Sequence, residues 1–382
     1  MTRLLLCAVL LAELAHAQPY PRVASYANTQ GGGYPLVRTD GTIDSAMVRA
    51  LARFPVVSLP VNTLLARPDL SVCLRYYNPR VQVLGYQLIT HWYLPASFVP
   101  RADDKTFAAS WHNALRATNG FIQNAPDGYE VAWQRWDTAD TLTTLLSRAA
   151  ASGAMGGVFC DYSAVCITWT GASTPANDSL RFAHFRTLTR RLRAAGGPGL
   201  EVHSNSSDAC GRALEHDAYM LEGYPDALTS LSQALKQRDG DWLKGEGPIS
   251  NRAARFVLGT ACMTGAMAAY ASNRSTDPAT HDARHWYPEF SVRPDGTADT
   301  TGAHVGWLGD ALGPYYWLPG GLLRRDFQNG TVILNPTTSV ATGVDLAKAL
   351  WRRVPGTNPP ERVFTIGAKD ALFLQRIWRA TP

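Results

Sequence analysis

Lysine is scarce in this chain: five of its 36 basic residues are lysine and the rest are arginine. Charged residues make up 18% of the 382, the formal net charge is +5, and no basic run occurs. Charge spread so thinly offers no stripe for a phosphate backbone, so no nucleic-acid partner is expected. Long apolar stretches are missing as well. None approaches the ~20 residues that a membrane span needs, so no span is expected. There is no C-x-x-C pair and no H-E-x-x-H, which argues against a metal site built by the protein, and no cofactor is expected. No G-x-G-x-x-G follows the first strand-like run; Gly31-Gly32-Gly33 lacks the spacing, so a doubly wound dinucleotide fold is not supported. The G-x-S-x-G elbow of serine hydrolases is absent too, and Ser163, Ser204 and Ser206 lack its context.

The chain does contain enough to build a large core, with 46% hydrophobic residues. It opens with Arg3, the apolar run Leu4–Ala12, and Ala15-His16-Ala17 before Gln18. A positive end, a short apolar stretch and an A-x-A site make a secretory signal over residues 1–17. The mature protein is therefore expected to be secreted or periplasmic, and a monomer. Five cysteines lie beyond this leader, an odd number that leaves at least one unpaired in an oxidising compartment. Cys160 and Cys262 sit in apolar runs as small hydrophobes, whereas Cys166 and Cys210 are the pair best placed to bond, on loops after strands.

Short apolar, β-branched runs alternate with helical patterns. Strand-like runs are Val23–Tyr26, Val56–Leu59, Val81–Tyr86, Gly157–Cys160, Leu200–His203 and Ala218–Leu221, with another near Met263–Tyr270. Helical patterns cover Ser45–Arg53, Asp104–Ala117, Asp140–Ala151, Ser179–Ala194, Thr229–Lys236 and Asn251–Thr260. This alternation implies parallel strands with crossover helices, and its length suits a (β/α)8 TIM barrel over residues 18–320. The end of the chain reads differently. Asn329-Gly330 between two strand runs signals a hairpin, and Arg362–Ile366 and Ala371–Ile377 read as further strands. Residues 321–382 are thus expected to form a C-terminal β appendage packed on the barrel.

Barrel enzymes carry their chemistry at the carboxyl ends of strands. Two acids stand directly after apolar runs: Asp161, ending Gly157-Val158-Phe159-Cys160, and Glu222, ending Ala218-Tyr219-Met220-Leu221. If these are the fourth and sixth strands, both carboxyls face one mouth. Glycosidic cleavage needs such a pair, one acid protonating the leaving oxygen and the other attacking carbon or activating water. The bland alternative, acids that cap the next helix or pair with arginine, stays open. Trp92, Trp133, Tyr162 and Tyr224 fall past strand ends or in loops, where aromatic faces can stack on sugar rings. Tyr26, Tyr86 and Gln87 close the first and third strands, and Asn205 lies two residues beyond His203; all are candidate substrate contacts. Glu289 is a third carboxylate, better suited to binding than to proton donation. A carbohydrate substrate is the partner these residues imply.

Four stretches resemble the TIM-barrel proteins grouped as hypothetical glycoside hydrolase-like family 15. They are Arg22–Gln30, Asn78–Tyr86, Gly157–Asp161 and the closing Arg324-Arg325-Asp326-Phe327-Gln328-Asn329-Gly330-Thr331-Val332-Ile333-Leu334-Asn335-Pro336. The organisation is also similar to that of secreted endo-acting polygalactosaminidases. That resemblance implies glycoside hydrolase activity with an Asp after the fourth strand and a Glu after the sixth as the catalytic pair, matching Asp161 and Glu222. It also implies Asp161 as nucleophile and Glu222 as general acid/base in a retaining mechanism. One departure stands out: where relatives often carry an acid in a Gly-Asp-Gly-Tyr run, this chain has Thr264-Gly265-Ala266-Met267.

Two other functions remain. A non-catalytic carbohydrate-binding barrel would keep the aromatic mouth without needing the two carboxyls to face each other. A lyase or deacetylase would want a metal or a Lys/His base in the mouth, and none of the five lysines follows a predicted strand.

Overall fold

The computed structural model describes residues 19–27, 36–38, 40–88, 91–93, 121–124, 129–132, 146–161, 175–197, 199–205, 215–225, 230–270, 284–346 and 349–379. Among these, the backbone falls into two compact units, one of residues 24–249 and 269–285, the other of 19–23, 250–268 and 286–379.

Eight parallel strands form a (β/α)8 barrel. They are β1 (Ala24–Tyr26), β2 (Val56–Pro60), β3 (Gln82–Leu88), β4 (Gly157–Asp161), β5 (Glu201–Asn205), β6 (Ala218–Leu221), β7 (Trp242–Gly245) and β8 (Met267–Tyr270), neighbours in that order. Val23 bridges to Ala268 in parallel, drawing the first strand to the last. The helices between them are α1 (Ser45–Ala52), α2 (Val61–Ala66), α3 (Asp69–Tyr77), α4 (Pro175–Gly196), α5 (Leu231–Ala234) and α6 (Asn251–Thr264). Residues 146–151 are helical as well. The excursion between β3 and β4 includes a small antiparallel sheet of His91–Tyr93, Tyr129–Ala132 and Phe121–Asn124. The helix expected over Asp104–Ala117 lies outside the described residues, as do the leader, Cys166 and Cys210. No described helix is long and apolar enough to cross a membrane.

Local chemistry accounts for these elements. Asp44 caps α1 by accepting from the backbone N–H groups of Ala46 and Met47 at 3.0 and 3.1 Å. Ser230 and Gln233 form a capping box at α5. Gly265, in the left-handed conformation at φ 100°, ends α6. The run Thr264–Met267, where relatives were expected to carry an acid, is thus a helix terminus leading into β8. Gly157 opens β4 where a Cβ would stand 2.6 Å from the Glu201 carbonyl oxygen, so only glycine lets β4 and β5 approach there.

The other unit has its own core. An antiparallel sheet runs in the order β9 (Tyr316–Leu318), β10 (Leu322–Asp326), β11 (Gly330–Asn335), β15 (Asp370–Arg379), β13 (Ala349–Arg353), and β12 (Ala341–Asp345) pairs with β14 (Val363–Ile366). The β10–β11 hairpin turns where expected, with the Phe327 N–H donating to the Gly330 carbonyl. Leu322, Ile333, Leu346, Trp351, Phe364, Ile366, Leu372 and Leu374 form a buried cluster. α6 packs on β11 and β15, with Ala371 and Leu334 against Gly259.

Candidate active site

Period-two alternation decides which side chains enter the barrel. On β4, Phe159 and Asp161 share a face while Cys160 points away, where burial pushes its thiol up to about 12. On β5, His203 and Asn205 share a face; on β7, Trp242 and Lys244 do. A ring layer results. Tyr26 lies 5.7 Å from Tyr86 and 5.2 Å from Phe159, and Phe159 lies 5.4 Å from Trp242, centroid to centroid. His203 closes the layer. The Trp242 N–H, a donor only, reaches His203 Nδ1 at 2.8 Å, and Nε2 stands 2.7 Å from Glu201 Oε2. Both ring nitrogens are thus used within the packing, and His203 is not a free base.

Two residues further along β4, β5 and β7 lies a polar cluster, at the carboxyl ends of the strands. Asp161 is 5% exposed and accepts from the Tyr86 hydroxyl on Oδ2 and from Asn205 Nδ2 on Oδ1 at 2.9 Å. The same Asn205 nitrogen donates to Glu222 Oε2 at 2.6 Å. Its two hydrogens serve one carboxyl each, so the oxygens they join lie no more than about 5.5 Å apart. Burial first, and then the negative charge of Glu222, hold the Asp161 carboxyl above its ordinary value, and the Tyr86 and Asn205 hydrogen bonds and the charge of Lys244 offset only part of that rise.

Lys244 completes the cluster and corrects the sequence reading that no lysine follows a strand. It sits on β7, 3% exposed, with Nζ 2.6 Å from Glu222 Oε1, 2.8 Å from Glu246 Oε1 and 4.3 Å from the Tyr26 ring centroid. An ammonium donating to two carboxyls and resting on a ring face has no lone pair to offer, so it does not supply the base a lyase needs. Glu246, just past β7, is raised by burial and by its hydrogen bond to and the charge of Glu222, against the pull of Lys244.

The sequence-predicted residues fall out as follows. Asp161, Glu222, Asn205, Tyr86 and Tyr26 are brought together. Gln87 is buried on the opposite face of β3 from Tyr86, and Tyr224 is fully buried, its N–H donating to the Lys244 carbonyl. Trp92 lies on a described strand but its side chain is outside the described residues, and so are Trp133 and Tyr162. Glu289 belongs to the other unit, where it is buried, pairs with Arg255 at 3.4 Å, and is pushed up by that burial. A cleft of about 620 Å³ also belongs wholly to that unit; Arg293, His304, Trp307 and Arg376 line it, with no carboxyl among its described lining residues. No cluster of metal ligands occurs among the described residues. Sequence reasoning missed Lys244 and Glu246. The available signal was Gly240-Asp241-Trp242-Leu243-Lys244-Gly245-Glu246, a short run between glycines whose alternate positions Trp, Lys and Glu share a face.

Glycoside hydrolases are among the solved structures with a similar architecture. The chain is similar to a β-L-arabinopyranosidase of glycoside hydrolase family 27 from Geobacillus stearothermophilus, with a TM-score of 0.54 and 10% identity over 94% of this chain and 96% of that one. Its arabinose-bound variant gives 0.51 and 11% over 95% and 98%. A pullulanase from Anoxybacillus, complexed with maltotetraose, gives 0.50 and 9% over 93% and 71%. No protein-family model matches the chain, and no curated protein matches it in sequence. At such identities the likeness establishes the fold: a (β/α)8 barrel shared with glycoside hydrolases.

Proposed function

We propose that the protein is a secreted or periplasmic glycoside hydrolase that cleaves a polysaccharide or exported glycan by a retaining mechanism. One observation carries the reading: Asp161, at the end of the fourth strand, and Glu222, directly after the sixth, are joined through a single amide nitrogen with their facing oxygens at most about 5.5 Å apart. Retaining enzymes hold their carboxyls about 5–5.5 Å apart, whereas inverting ones leave about 6.5–9.5 Å for a water. The names of the structural neighbours point to the same chemistry.

In this mechanism Asp161 attacks the anomeric carbon while Glu222 gives its proton to the glycosidic oxygen. The C–O bond breaks, its electron pair goes to that oxygen, and a glycosyl ester forms on Asp161. Water then resolves the ester, its hydroxyl going to the anomeric carbon and its proton to Glu222. The hydrogen bonds from Tyr86 and Asn205 favour the ionised form of Asp161 that attack requires.

The purified mature protein is tested on a glycan panel, following reducing ends and, by proton NMR, the anomer first released. Cleavage with retained configuration is expected. Binding without cleavage would favour a non-catalytic carbohydrate-binding barrel, and release of the inverted anomer would refute the nucleophilic role of Asp161. Terminal sequencing of exported protein should begin at Gln18; retention of residues 1–17 would refute the location.

A further inference from the structure

Lys244 binds two carboxyls, and the mechanism above uses only one of them. Its Nζ lies 2.6 Å from Glu222 Oε1 and 2.8 Å from Glu246 Oε1. With one nitrogen bonded to both at these distances, the two glutamate oxygens lie no more than about 5.4 Å apart. An ionised carboxylate only accepts, so two neighbouring carboxyls can bond to each other only when one of them carries a proton. Charge balance leads to the same place. Asp161, Glu222 and Glu246 would bring three negative charges together where Lys244 is the one ammonium among the described residues, and the side chains of Glu222 and Glu246 are only 22% and 18% exposed. Uncompensated charge in such surroundings is costly. One proton held by the two glutamates makes them neutral together with Lys244. Asp161 is then the sole net charge, held by Tyr86 and Asn205.

We propose that Glu246 is a positioning residue for the catalytic proton: at neutral pH it and Glu222 hold one proton between them beside Lys244, which keeps Glu222 a donor while Asp161 stays ionised. The inference rests on the reading of Glu222 as the general acid. When Glu222 passes its proton to the leaving oxygen, both glutamates become carboxylates facing the one ammonium. The proton of the water that resolves the Asp161 ester returns to the pair, so the cycle closes without an external acid. Among the described residues, Lys244 from β7 and Asn205 from β5 bond to the pair, and the charge of Asp161 from β4 acts on it. Tyr26 from β1 lies against Lys244, Tyr86 from β3 bonds to Asp161, and the Tyr270 hydroxyl of β8 lies beside Gly247 and donates to the Pro248 carbonyl at 3.1 Å.

The test is an NMR titration of the full mature chain carrying carboxyl-labelled glutamate, with the signals assigned from Glu222→Gln and Glu246→Gln. In the wild type, one proton should stay on the pair at about pH 7, well above the ordinary glutamate value near 4.3. In Glu246→Gln that proton should be gone from Glu222 at the same pH. Glu246→Asp, which keeps a carboxyl, should restore part of the retained proton. Both glutamates ionised in the wild type across neutral pH, or a Glu222 titration unchanged in Glu246→Gln, would overturn the proposal. The readout needs no substrate. A shared proton in a protein that cleaves no glycan would sink the glycosidase reading alone, and cleavage without a shared proton would sink this inference alone.

Discussion

Replacing Lys244 with methionine keeps the length of the side chain and removes its charge. The ammonium is 3% exposed and is the positive partner of both Glu222 and Glu246. Removing one member of a buried ion pair typically costs about 3–5 kcal/mol, because the partner is left as an uncompensated buried charge. Here both partners keep roughly one-fifth of their exposure, so the lower end, about 3 kcal/mol, is expected, including the lost contact with the Tyr26 ring. The deficit should depend on pH with a definite sign. Burial already raises the Glu246 carboxyl above its ordinary value, and removing Lys244 takes away the charge that opposes this, so its folded-state pKa lies further above the unfolded value. Such groups contribute stability below the unfolded pKa and lose it as pH rises through the folded one. The deficit should therefore be largest at about pH 8 and shrink toward about pH 5, where the carboxyls can take up protons. Urea denaturation of wild type and variant at the two pH values, followed by tryptophan fluorescence, measures it, and Trp242 in the ring layer reports on this unit. A deficit under about 1 kcal/mol, or one that grows as pH falls, would refute the argument.

Three further outcomes follow from the structure. Asp299 is buried, and despite that burial its carboxyl is held well below the usual range by bonds from the Thr301 hydroxyl and N–H, the Ser291 hydroxyl and the His304 N–H. The stability it contributes is in place above pH ~4 and lost as pH falls below that; Asp299→Ala should cost about 3 kcal/mol at neutral pH and flatten the acid limb of a denaturation series. The Cys160 and Cys262 thiols, both pushed up to about 12 by burial, should resist a disulfide reagent until the protein unfolds, so rapid labelling of either in the native state would contradict their placement. Truncation after residue 320 removes Phe327, Val332, Ile333, Leu334 and Phe364, all buried and each worth about 1.5–3 kcal/mol, and should leave insoluble or non-cooperative protein; a truncated form that melts like the full chain would refute this.

The barrel strands that could be read in the sequence are those whose apolar runs were uninterrupted. Val56–Pro60, Gly157–Asp161 and Ala218–Leu221 are buried on both faces, as parallel strands with flanking helices are, so nearly every position is apolar. Each run ends where the strand leaves the core, which is why Asp161 and Glu222 stood out. β7 escaped because it has only four residues and Lys244 interrupts them; the charge is accommodated there by the neighbouring Glu246 together with Glu222 after β6 and the Tyr26 ring of β1, the last two being partners that no local window contains. α2 and α3 were missed for a local reason: Pro60 and Pro68 sit at their N-caps and break the segment into pieces too short for helical periodicity to show. β12 has only half-buried and exposed positions around Gly343, and β13 buries a single side chain, Trp351, before Arg352-Arg353, so neither gave an apolar run.

The central claim is that Asp161 attacks and Glu222 supplies the proton. It is tested most directly by kcat/KM for Asp161→Asn and Glu222→Gln on two substrates of the same sugar, one with its natural leaving group and one with a dinitrophenyl group that departs without protonation. Asp161→Asn should abolish turnover of both, while Glu222→Gln should lose the natural substrate and largely spare the activated one. Full activity in either variant, or the opposite pattern between them, would contradict the account.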